Sequence, residues 1–117
     1  MAMTSAERVM KVLDAHRNEL CQHMYIDLKR VERLQCLLGW LAWEAGIPLP
    51  PSRYRTHVIG MTGTKRFADA IQREYGLTLP QLKALQSAND DSPNSVALRK
   101  RVAEELKSPD NHHDIAA

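Results

Sequence analysis

A chain of 117 residues with a net charge of +2, 44% hydrophobic and 26% charged residues has room for one core and too little length for two. These proportions exclude a disordered chain and a membrane-embedded one, and a single phenylalanine with few β-branched residues disfavours a core built on sheets. No run approaches the roughly 20 apolar residues of a membrane span, and Glu7 and Arg8 interrupt the stretch that a secretory signal would need. The expectation is a cytoplasmic, all-α protein without membrane contact: a long N-terminal helix or helical hairpin followed by three shorter helices.

Residues 4–38 contain neither glycine nor proline. Leu13, Arg17, Leu20, Met24, Asp27, Val31, Leu34, Leu38 and Leu41 succeed one another in steps of four and three, the seam along which one helix packs on another. Ser5 opens this helix, and Gly46 followed by Pro48, Pro50 and Pro51 closes it. A break near Asn18 or Asp27 would fold the segment into an antiparallel hairpin; an unbroken rod would need a second chain. The apolar seam therefore predicts a homodimer held by residues 13–41, with Leu34, Leu38 and Leu41 at the interface.

Cys21 and Cys36 on such a rod would stand about 22 Å apart, beyond the reach of about 7 Å between Cα atoms that a disulfide allows. His16 and His23 read as solvated side chains, since no carboxylate at metal-ligand spacing completes a set. Glu19, Asp27, Glu32 and Glu44 alternate with Arg17, Lys29, Arg30 and Arg33 as on a solvated helix face. Trp40 and Trp43 lie about 300° apart around a helix, so the core takes one and the other, Trp43, is a candidate anchor for a protein interface.

Residues 47–63 form a proline-rich, then basic, connector. Residues 47–76 carry five Lys or Arg against two Asp or Glu, whereas residues 1–46 balance six against six, so the positive excess lies in the middle. Helix returns after Thr64, with Phe67, Ile71 and Tyr75 on one face and Gly76 at its end. Thr78 caps a second short helix buried through Leu79, Leu82 and Leu85. Residues 87–95 are a turn, and Leu98, Val102 and Leu106 align a last amphipathic helix closed by Pro109. Residues 1–108 are thus one domain (1–46, 47–63 and 64–108), followed by a flexible tail at 109–117 in which His112 and His113 are inert.

Residues 64–88 are spaced like a helix-turn-helix, with Gly76 at the turn and Ile71, Tyr75, Leu77, Leu82 and Leu85 inside. The phrase Tyr75-Gly76-Leu77-Thr78-Leu79-Pro80 resembles the second helix-turn-helix of AraC-type regulators. A helix-turn-helix here would turn Gln81, Lys83 and Gln86 to the major groove with Lys65, Arg66 and Arg73 near phosphates, and the local basic excess adds Arg53 and Arg55 to the phosphate-contacting set. Gly60-Met61-Thr62-Gly63 is in turn similar to the GxxG loop of KH domains, which implies nucleic-acid backbone contact. No nucleophile with its base, no carboxylate pair and no metal cluster can be assembled, so an enzyme is not expected, nor a metal or other cofactor. Two functions compete: a DNA-associated regulator presenting residues 53–86 to a duplex, and a helical adaptor or inhibitor docking on another protein around Trp43.

Overall fold

In a computed structural model, which describes residues 3–27, 34–60 and 63–106, the first helix is far shorter than the apolar seam. Helix α1 spans Ser5–His16. Thr4, one residue before the expected start, caps it: its hydroxyl accepts the Glu7 N–H at 3.1 Å and the Glu7 carboxylate accepts the Thr4 N–H at 2.9 Å. Val9, Val12 and Leu13 form its buried stripe. The chain then turns at Arg17, and the segment to Cys36 contains no helix among its described residues.

Local propensity loses here to partners far along the chain. The Cys21 N–H donates to the Gln35 carbonyl (3.1 Å), Gln35 N–H to Glu19 (3.0 Å), Tyr25 N–H to Arg55 (2.9 Å) and Cys36 N–H to Tyr25 (3.2 Å). Strands β1 (Ile26–Asp27) and β2 (Leu34–Gln35) add a two-residue antiparallel pair, Ile26 facing Gln35 and Asp27 facing Leu34. These backbone groups, which a rod would have paired locally, find non-local partners instead. The rod that the seam was to run along does not form. Leu34, Leu38 and Leu41 are 7%, 0% and 0% exposed within this one chain, so they are core residues rather than interface residues. Val31 lies outside the described residues.

Cys21 and Cys36 do not share a helix either; Cys21 lies in the loop after α1, and Cys36 caps α2 (Leu37–Ala45), its Sγ accepting the Gly39 N–H at 3.4 Å. No disulfide joins them. Leu37, Leu38, Gly39, Trp40, Leu41 and Ala42 are all buried, which makes α2 the central element. Gly39 is required there: a Cβ at this position would overlap the Tyr25 carbonyl and stand 3.0 Å from the Gln35 Cβ. Gly39→Ala should therefore lower the unfolding free energy by about 1–3 kcal/mol, the cost of overpacking, although alanine favours helix. Urea denaturation would measure it, and an unchanged midpoint would show that the chain at Tyr25 and Gln35 yields freely.

Helices α3 (Lys65–Tyr75), α4 (Leu79–Asp91) and α5 (Ser95–Leu106) complete the fold. Thr78 caps α4 through a reciprocal pair with Gln81. Helix α4 packs against α2, α3 and α5, and α1 packs against α2, α3 and α5. The architecture is mainly α, with five helices and one two-residue strand pair among the described residues, in place of a long helix or hairpin followed by three. No helix among them is long and apolar enough to cross a membrane. The tail expected at 109–117 lies outside the described residues.

Candidate interaction surface

Helix α2 ends at Gly46, whose positive φ of 70° lets its N–H reach back to the Ala42 and Trp43 carbonyls. The Ile47 N–H also donates to Ala42, at 2.8 Å, so the proline-rich segment leaves the helix in a defined direction. It runs without regular structure to Pro51 and ends in a 3-10 turn, Ser52–Tyr54, where the Tyr54 N–H donates to the Pro51 carbonyl at 2.8 Å. Arg55 braces the segment from behind: its Nε donates to the Pro50 carbonyl at 3.2 Å.

This segment is a ridge between two clefts. One, of about 460 Å³, is lined by Gly39, Trp43, Ile47, Pro48, Leu49 and Arg55 among others. The other, of about 450 Å³, lies between the same ridge and the start of α3, with Tyr54, Lys65, Arg66 and Phe67 in its wall. Trp43 stands 53% exposed beside the first cleft, whereas Trp40 is 4% exposed.

The division between the two indoles has a local cause. The Trp40 Nε1–H donates to the Glu19 carbonyl at 2.8 Å, and its ring stacks on His16 with centroids 3.7 Å apart and planes 6° from parallel. His16 is itself held between carboxylates, Nδ1 at 3.0 Å from Glu19 and Nε2 at 2.8 Å from Glu44. The solvated reading is thus corrected for His16, which stacks on Trp40, whereas Glu19 and Glu44 stay exposed and hold the His16 ring in place. With Trp40 fixed inward, the helical step carries Trp43 outward, where its ring meets Trp40 only edge-on at 6.2 Å. His23 does remain at the surface, with a positive φ of 65° and its N–H donating to Asp90 at 2.8 Å.

Of the residues expected at a nucleic-acid site, Arg53, Lys65, Arg66 and Arg73 are exposed and Arg55 is half-buried. Residues 47–66 contain Arg53, Arg55, Lys65 and Arg66 and no Asp or Glu. The Arg53 guanidinium lies over the Tyr54 ring at 4.9 Å, and Lys65 pairs with Asp69 at 2.9 Å on the surface, a contact of little energetic weight. The groove-facing set expected on α4 is dispersed. Gln81 completes the helix cap, and Gln86 is engaged inside the fold: its Oε1 accepts the Ile59 N–H at 2.7 Å and its Nε2 donates to the Tyr25 hydroxyl and the His57 carbonyl. Of the expected trio, only Lys83 is left exposed without such a role. Gly60 and Gly63 both have positive φ, and the two residues between them lie outside the described ones.

Burial pushes the Cys36 thiol up to about 12, so it stays protonated and inert as a nucleophile. Trp43 is legible in the sequence by itself, whereas Pro48, Leu49 and Pro51 read there as a plain connector. Their spacing was the available signal. Comparison of the chain with protein-family models, curated proteins and solved structures gives no match.

Proposed function

We propose that this protein is a non-enzymatic adaptor or inhibitor that docks on another protein through Trp43 and the adjoining proline ridge. The observation that carries this reading is the half-exposed indole of Trp43, set beside an apolar cleft on a helix whose preceding six residues are all buried. Tryptophan beside a pocket supplies large contact area at small entropic cost, the usual character of an interface anchor. The absence of acidic side chains from residues 47–66 adds a preference for an acidic partner surface.

Iodide should quench one tryptophan of the free protein and spare the other. Peptides selected from a random library on the immobilised chain should shift amides around Trp43 and protect it from iodide. Trp43→Ala should abolish their binding with little change in the unfolding midpoint. Peptides that map elsewhere would remove the anchor, and a variant that unfolds would give Trp43 a structural role instead.

A second reading, a DNA-associated regulator, is favoured by Arg66 and Arg73, which lie seven residues apart on the same face of α3. It requires affinity for random duplex that falls steeply with salt, and a flatter dependence in the Lys65→Ala/Arg66→Ala variant.

A further inference from the structure

We propose that Pro48-Leu49-Pro50-Pro51, with Arg53 beyond it, is itself a ligand: a pre-formed polyproline II ridge read by a protein domain whose groove is lined with aromatic rings and carries an acidic group. This rests on the docking reading above and names the chemistry of its partner.

The conformation follows from the residues. Proline fixes its own φ near −65° and drives the residue before it into extended backbone. Ile47 and Leu49 each precede a proline, Pro48 is one, and Pro50 is both. Pro51, the last, has φ −50° and ψ 147°, close to polyproline II values. Such a helix repeats every three residues, so positions three apart share an edge.

Burial follows that repeat. Pro48 and Pro51 are exposed together, whereas Pro50 is buried and Ile47, its neighbour three back, is half-buried; Leu49 lies half-buried to the side. The inner edge is tied to the fold at both ends, by Ile47 N–H to the Ala42 carbonyl and by Arg55 Nε to the Pro50 carbonyl. Ordering has therefore already occurred in the free protein, which removes a cost that a flexible ligand meets on binding.

Arg53 sets the direction and charge of the recognition. It stands two residues after Pro51, exposed, in the turn that ends the ridge, its guanidinium over Tyr54. A groove that takes two prolines at a three-residue spacing and holds a carboxylate just past them matches this edge, the mode by which aromatic-lined domains of the SH3 class read extended peptides. Nucleic acid would use the cations but would gain nothing from the paired prolines.

The test is a titration of the ¹⁵N-labelled full chain with a panel of purified SH3 domains that carry an acidic specificity site. Shifts should centre on the amides of Ile47, Leu49, Ser52 and Arg53. Pro48→Ala/Pro51→Ala should weaken binding at least about tenfold. Arg53→Glu, at an exposed position, should do the same with an unchanged circular dichroism spectrum, which keeps the test valid if the proline variant folds poorly. The inference is overturned if no domain shifts these amides, if Arg53→Glu binds like the wild type, or if random duplex binds there more tightly than any domain. The peptide selection at Trp43 stands apart from these outcomes: its success alongside a silent panel would retain the docking surface and discard the polyproline reading.

Discussion

Asn89→Leu should lower the unfolding free energy by about 2–6 kcal/mol, since two buried backbone groups each lose their partner at about 1–3 kcal/mol. Asn89 is buried on α4, and its amide joins three segments. Its Oδ1 accepts the Leu37 N–H at 3.0 Å, at the open end of α2, and its Nδ2 donates to the Cys21 carbonyl at 2.9 Å. Gln22 fastens the same loop from the other side, donating to the Asn89 and Ser92 carbonyls. Leucine fills a similar volume but supplies neither bond. Against a typical total of about 5–15 kcal/mol, the loss should appear as a large drop in urea midpoint. Asn89→Asp keeps the acceptor for Leu37 but sets a buried carboxylate oxygen against the Cys21 carbonyl and the Asp90 carboxylate, so it should destabilise as well. A leucine variant within about 0.5 kcal/mol of the wild type would mean that water replaces both bonds.

Alkaline pH should unfold the protein before ordinary surface titration would. Burial, the main cause in each case, raises Tyr25 and Tyr75 from 10.0 to about 12 and Cys36 from 9.0 to about 12. Tyr25 donates to the His57 carbonyl and Tyr75 to the Leu41 carbonyl, both at 2.6 Å, bonds that need the proton. In the unfolded chain these groups lose their protons near their ordinary values, so between about pH 9 and 12 the unfolded state binds fewer protons than the native one. The unfolding free energy then falls as pH rises, by up to about 1.4 kcal/mol per pH unit for each group. Stability from this source is complete below pH 9 and lost by about pH 12. Denaturant unfolding at intervals from pH 8 upward would show it, and Tyr75→Phe should shallow the slope. A flat profile to pH 11 would mean that these side chains reach solvent in the native state.

Much of the second half of the chain was legible beforehand, for local reasons. Thr78, Gln81 and Gly76 act within one or two turns of their own helices, and Leu98, Val102 and Leu106 mark a single face at helical spacing. Periodicity misled over residues 13–41. It records which side chains seek burial, and a strand pair with a tied loop buries Tyr25, Ile26 and Leu34 as well as a helix would.

The candidate surface divides the same way. That Trp43 would differ from Trp40 follows from a three-residue step on a helix, but which indole faces solvent depends on His16 and Glu19, brought to Trp40 from α1 and the loop after it, with Glu44 of α2 holding the His16 ring. Gln86 read as groove-facing because its partners, Ile59, Tyr25 and His57, are far along the chain. The chain alone determined the short-range features: helix caps, glycine stops, the extended proline ridge and the basic excess beside it. Tertiary structure alone decided the long-range ones: where α1 ends, that Leu34, Leu38 and Leu41 lie inside one chain, and which edge of the ridge faces outward. Those depend on hydrogen bonds and contacts between residues tens of positions apart, and no spacing rule within a single element carries that information.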